Sequence, residues 1–223
     1  MSTIIELNNI TKIYKGKEFE LKALNNINLK IEEGEFTAIM GKSGSGKTTL
    51  LNILGCMDEP TTGEYICFGE KIHEFSKKEV NKFRKNNISF IFQQYALMSQ
   101  YTVYENVELP LLAKNIGYKE RKQIVNDSLE KVSIANLSDK YPNNISGGQR
   151  QRVAIARTLA SGNKIVLADE PTGALDYKTG EEIFNILKKL KDEGKTVLVV
   201  THNEDLAKKC TRIIKIQDGT ILK

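Results

Sequence analysis

Apolar residues follow different rhythms in different parts of this chain. Phe36–Met40, Ile165–Ala168 and Thr196–Val200 are short apolar runs, rich in β-branched residues and lacking polar alternation. Such runs are expected of strands covered on both faces, as in a parallel sheet. Ile88–Phe92 is a fourth short run. Between the second and third runs lies a stretch of helical period, from about Thr179 to Glu193. It puts Ile183, Leu187 and Leu190 on one face, with Gly194 where a C-cap would sit. Thr48–Leu54 also reads as a helix. Nearer the N-terminus, Ile4–Leu7, Leu24–Ile31 and Glu64–Phe68 read as antiparallel strands with turns at Gly16, Gly34 and Gly63. Ile213–Ile216 and Thr220–Leu222 flank Asp218-Gly219, a strong hairpin signal. From about Tyr95 to Ala160 the rhythm is helical: Val125, Leu129 and Val132 share one face, and Val153, Ala156, Leu159 and Ala160 build another. Buried strands alternating with helices imply an α/β fold, with the middle stretch as an inserted helical subdomain.

Composition narrows the class. At 223 residues, 27% charged and 40% hydrophobic, the chain fits one sizeable soluble globular domain. Its net charge is +5, but the lysines are spread along helices, as at Lys188, Lys189 and Lys191, which reads as a solvated face and not a nucleic-acid-binding tail. Cys56, Cys67 and Cys210 are too scattered for a disulfide framework or a zinc site. Met1–Ile13 lacks the pattern of a secretion signal, and no apolar run approaches the roughly 20 residues of a membrane span. The expected location is the cytoplasm, and any membrane role requires a partner.

Chemistry enters at Gly41-Lys42-Ser43-Gly44-Ser45-Gly46-Lys47-Thr48, which matches G-x-x-x-x-G-K-[ST] between an expected strand and an expected helix. Backbone N–H groups of such a loop turn toward phosphate oxygens, and the helix N-terminus adds a favourable dipole. Lys47 is placed to reach the β- and γ-phosphates of ATP, and the Thr48 hydroxyl to ligate Mg²⁺. Asp169-Glu170 ends the run Ile165–Ala168, at the strand edge where ligands bind in such sheets. Asp169 suits Mg²⁺, and Glu170 suits orienting or deprotonating the attacking water. Gln93, after Ile88–Phe92, can serve the metal or the water; His202, after Thr196–Val200, can contact the γ-phosphate. Tyr14 can stack on adenine or pack as a strand residue. Ser146-Gly147-Gly148-Gln149 opens a helix Arg150–Ala160, and reads either as an N-cap with a flexible glycine pair or as a second anion site. In the second case two copies would face each other, each lending its Ser146 loop to the other's ATP.

Together these segments resemble the ATP-binding subunit of ABC transporters over essentially the whole chain. The resemblance makes Tyr14 the adenine-stacking position, Gly41–Thr48 with Thr49 the Walker A loop, Gln93 the Q-loop, Ser146–Gln149 the signature, Ile165–Glu170 Walker B, Ala174-Leu175-Asp176 the D-loop and His202 the switch histidine. It implies a P-loop NTPase (RecA-like) core with an N-terminal antiparallel β-subdomain and an inserted α-helical subdomain. Residues 1–92 and 161–223 would then form the core, and 93–160 the Q-loop and signature subdomain. Gly34–Phe36, Leu51–Asp58, Tyr104–Pro110 and Ala168–Asp176 look like the macrolide-export (MacB-type) and lipoprotein-release (LolD-type) branch. Lys42, Ile145 and Arg150 depart from its usual residues without removing a phosphate contact.

That branch implies an ATP-sandwiched homodimer and Mg²⁺. It further implies a separate membrane subunit docking near Gln93–Pro110, with Tyr95, Leu97, Met98 and Tyr101, and a periplasmic or extracellular adaptor. The expected place is peripheral, on the inner face of the membrane. Export of antimicrobial peptides, macrolide-like compounds or lipoproteins is the leading function. The alternatives are an ATPase that regulates a cell-wall or division partner, and a soluble ATPase of DNA repair or translation. The last predicts tandem nucleotide domains, zinc cysteines or a long coiled coil, none of which is present in this sequence.

Overall fold

The chain opens with two long antiparallel strands, β1 (Thr3–Lys15) and β2 (Glu20–Glu32). The computed structural model describes residues 2–16 and 19–222, so the turn expected at Gly16 lies partly outside them. A second turn, with Gly34 at φ 76°, leads into the buried strand β3 (Phe36–Met40). The Gly-rich loop follows, then α1 (Lys47–Leu54). β4 (Thr62–Cys67) and β5 (Glu70–Lys71) complete a four-stranded antiparallel sheet in the order β2-β1-β4-β5. Gly63 was expected in a turn but is the second residue of β4. Its φ is 102°, and a Cβ there would lie 2.5 Å from Asn9 O, so this glycine marks a close strand approach, where the β1–β4 register shifts.

Helix α2 (Lys77–Asn87) leads into β6 (Ile88–Ile91). Then come α3 (Val103–Ala113), α4 (Tyr118–Lys131) and α5 (Gly147–Ser161). The helix expected from Arg150 begins at Gly147, with Ser146 as its N-cap. The chain returns through β7 (Ile165–Asp169), α6 (Tyr177–Asp192), β8 (Thr196–Val200), α7 (Glu204–Ala207), β9 (Arg212–Gln217) and β10 (Thr220–Ile221). These strands make a six-stranded sheet, β10-β9-β3-β8-β7-β6, parallel except for β10. The expected α/β class, with an antiparallel β part and a helical stretch, is the observed one.

Alternation along the parallel strands sorts the core. Ile165 and Leu167 of β7, with Leu198 and Val200 of β8, join α1 and the antiparallel sheet in one buried cluster. Val166, Ala168, Val197 and Val199 point the other way and pack with α3–α6. A strand's period of two thus feeds two cores, which is why these runs carry no polar positions. Between those layers the C-terminal ends of β3, β8, β7 and β6 lie at one edge.

Candidate nucleotide site

That edge collects most of the residues singled out by sequence. The loop after β3 ends at Gly46, the N-cap of α1, held at φ 102° with no side-chain cap. A Cβ at Gly46 would lie 2.5 Å from Ala23 O, so this position excludes larger residues twice, by conformation and by space. The first turn of α1 therefore keeps backbone donors uncapped by side chains, the condition for anion binding. Lys47 folds back over the loop, its Nζ donating to Gly41 O and Lys42 O at 2.8 Å each.

One strand away across β8, Asp169 ends β7, and the Thr48 hydroxyl donates to its Oδ2 at 3.3 Å. Burial raises the Asp169 pKa above the ordinary carboxylate value and the neighbouring Glu170 charge adds to the rise, while Thr48 and Lys47 oppose it. Glu170 sits in the left-handed region at φ 47°, an uncommon conformation for a residue with a side chain. Its N–H donates to Val200 O at 3.0 Å, and Gly173 N–H donates to its carbonyl at 3.0 Å, which hold that conformation. His202 Nδ1 lies 2.6 Å from Glu170 Oε2, a hydrogen bond in which the carboxylate accepts. Gln93 belongs to the same corner: an ideal Cβ on Gly173 would be 3.1 Å from its Nε2 and 3.4 Å from Glu170 Oε2.

An open cleft of about 730 Å³ is walled by Tyr14, Gly41, Ser43, Gly44, Gly46, Lys47, Thr48, Thr49, Gln93, Asp169, Glu170 and His202. Lys42 and Ser45 line the neighbouring cavity instead. Ser146, Gly147, Gly148 and Gln149 are not among the cleft residues. There the reading as an N-cap holds: Gln149 N–H donates to Ser146 Oγ at 3.2 Å, and Ser146 N–H donates to Gln149 Oε1 at 2.9 Å.

Sequence reasoning missed the bracing of Tyr14. Its hydroxyl donates to Asp58 Oδ2 at 2.7 Å, Lys12 Nζ contacts Asp58 Oδ1 at 2.6 Å, and that ammonium stands 4.9 Å from the Tyr14 ring centroid. Asp58 lies more than forty residues from both partners, so no local signal marked it. Leu21, Lys22 and Ala23 of β2 also line the cleft unforeseen. Among the described residues no cluster of three or more His, Cys, Asp or Glu could hold a metal alone. A hydroxyl beside one carboxylate is an all-oxygen donor set of the kind Mg²⁺ takes when phosphates supply further ligands.

A glycine-rich loop from a parallel strand into an uncapped helix, with an acidic strand end one strand away, is the construction of a P-loop nucleoside triphosphatase. Residues 24–173 match the sequence model of the ABC transporter family. The chain therefore belongs to that family, as an ATP-binding, ATP-hydrolysing component. It is 50% identical over 223 residues to an uncharacterized ABC transporter ATP-binding protein, MJ0796, of Methanocaldococcus jannaschii, covering 98% of this chain and 95% of that one. The macrolide export ATP-binding/permease protein MacB of Salmonella choleraesuis is 43% identical over 222 residues; the match spans this whole chain but 34% of that longer protein. Among solved structures, a dimeric post-hydrolysis state of the MJ0796 cassette bound to ADP and Pi superposes with a TM-score of 0.92 at 47% identity, over 99% of this chain and 97% of that one.

Proposed function

We propose that this chain is the cytoplasmic ATPase subunit of a MacB-like exporter, working as a homodimer on a separate membrane permease. The observation that supports the dimer is the separation of the P-loop from the Ser146–Gln149 turn, whose glycine amides we read as a second anion site. The P-loop faces the cleft, whereas the Ser146–Gln149 turn lies outside it, so a second copy is needed to bring such a turn to the γ-phosphate. The dimeric MJ0796 cassette supports the same reading.

In the cleft, Tyr14 would carry the adenine and the amides of Gly44–Thr49 the phosphates, with Lys47 leaving its carbonyls for phosphate oxygens. Thr48 and Asp169 would hold Mg²⁺, with Gln93 beside them; when bound, the ion supplies charge neutralisation to the phosphates. Glu170 would orient or deprotonate the attacking water, and His202 fixes that carboxylate from one side.

No helix among the described residues is long and apolar enough to cross a membrane. A groove of about 390 Å³ lined by Met57, Arg84, Lys85, Phe92 and Pro110 suits a cytoplasmic helix of the permease, its basic rim favouring an acidic one. The likeness to a macrolide export protein supports macrolide-like cargo; peptides or lipoproteins as cargo, and an extracytoplasmic adaptor, are further parts of this proposal. The test is co-expression with the membrane protein of the adjoining reading frame. Isolation as a stable complex with ATPase activity, lost when Arg84 and Lys85 are both changed to Glu, supports the reading. Stable binding to ribosomes or DNA, with no membrane complex, overturns it.

A further inference from the structure

Immediately beyond Gln93 the backbone makes an unusual turn. Tyr95 and Ala96 are consecutive non-glycine residues in the left-handed region, at φ 63° and 47°. Such residues are sparsely found there, at a cost of about 1–3 kcal/mol each, and persist when their surroundings hold them. The surroundings here are one face of α5. Arg157 donates from Nη2 to Tyr95 O at 2.9 Å and from Nη1 to Ala96 O at 2.6 Å, so a single guanidinium grips both strained residues. One turn inside the helix, the Arg150 guanidinium stands 5.4 Å from the Tyr95 ring centroid. At the helix start, an ideal Cβ on Gly147 would be 3.0 Å from the Tyr95 hydroxyl. Positions 147, 150 and 157 are three and seven apart, the spacing of one helical stripe. Among the described residues Arg157 makes no ion pair, and burial disfavours its charge. A cation placed at that disadvantage, with only backbone carbonyls as partners, is suited to fixing geometry and poorly suited to contributing stability.

We propose that Arg157 is a positioning residue for ATP hydrolysis. It clamps the Tyr95–Ala96 turn to α5, so that Gln93 is placed in the cleft by the same helix that begins with the Ser146–Gln149 turn. Movement of α5 then carries both Gln93 and that turn together. Arg157 also lines the groove with Phe92 and Pro110, so a helix seated there would press on this clamp. The inference rests on the ATPase reading of the cleft.

The test is a double-mutant cycle on the full chain, with Gln93→Ala, Arg157→Gln and the pair, measuring kcat, KM and equilibrium ATP binding with Mg²⁺. Arg157→Gln is expected to lower kcat about 10- to 100-fold, the scale of a small misplacement, with ATP affinity within about twofold of the parent chain. The double variant should be no slower than Gln93→Ala alone, since one residue acts through the other. Arg157→Lys, which keeps the charge but not the fork, should recover part of the loss. If Arg157→Gln melts below assay temperature, Arg157→Lys carries the same cycle. Fully additive losses, an unchanged kcat, or a fall in ATP affinity matching the fall in kcat would overturn the proposal. A parent chain that binds no ATP would overturn the ATPase reading together with this one, whereas additive losses in a chain that binds ATP normally sink the clamp alone.

Discussion

Helices α1 and α5 both begin with glycine-containing turns, and they are finished in opposite ways. Helix α1 starts at Gly46 with no side chain on its first amides. Helix α5 starts at Ser146, whose hydroxyl and amide are both engaged by Gln149 in a reciprocal capping box. The first end is left for a ligand and lies in the cleft beside Asp169 and Glu170. The second is stable without one, and only the two glycine amides between Ser146 and Gln149 lack a side-chain acceptor. An uncapped end costs about 1 kcal/mol relative to a capped one, a cost a bound phosphate can offset. Under the proposed function, the difference fits α1 to its own chain's nucleotide and α5 to a contact met intermittently.

Each expected outcome below breaks or sharpens that contrast. Lys47→Ala removes the cation lying over the α1 end, and ATP turnover should fall by at least about 10²–10³-fold in a phosphate-release assay. Turnover within a few-fold of the parent would deny the α1 end its role. Gly148→Asp puts a carboxylate on the α5 turn, where an added Cβ would lie 2.5 Å from Thr179 Cγ2. Turnover should drop about 10²-fold while one chain still binds ATP with unchanged affinity. A matching loss of affinity would mean that the turn serves its own chain's cleft.

Asp58→Asn loosens Tyr14 without touching either helix end, and should weaken ATP binding about fivefold with kcat kept, read by titration calorimetry. On the melting of the nucleotide-free chain, Asp169→Asn gives the smallest effect. Because burial raises the Asp169 pKa in the fold, its favourable contribution is present at low pH and lost as pH rises through that raised value. Without nucleotide or Mg²⁺, the Asn variant should melt at or slightly above the parent at neutral pH, the gap closing as pH falls. A variant less stable at neutral pH contradicts the sign.

Much of the layout was legible because its signals are local. The unbroken, β-branched runs at Phe36–Met40, Ile165–Ala168 and Thr196–Val200 read as strands with two buried faces, and each ends at a residue or loop of the cleft. Helix α2 escaped notice although Ser76 and Glu79 spell a capping box, since Phe83 is its one buried residue and no apolar stripe announces it. The Asp58 brace and the Arg157 clamp were invisible for a different reason. Both join residues dozens of positions apart, and Arg157 grips carbonyl groups, which carry no residue identity. Gly63 misled because a strained strand residue and a turn residue are both best served by glycine.

The central claim is that the two helix ends meet on one nucleotide only between two copies. Glu170→Gln should stall hydrolysis and hold the closed state. With ATP and Mg²⁺, light scattering on that variant should give twice the 25.1 kDa chain mass, and the added Gly148→Asp change should return it to one. A Glu170→Gln chain that binds ATP yet stays at 25.1 kDa would contradict the account.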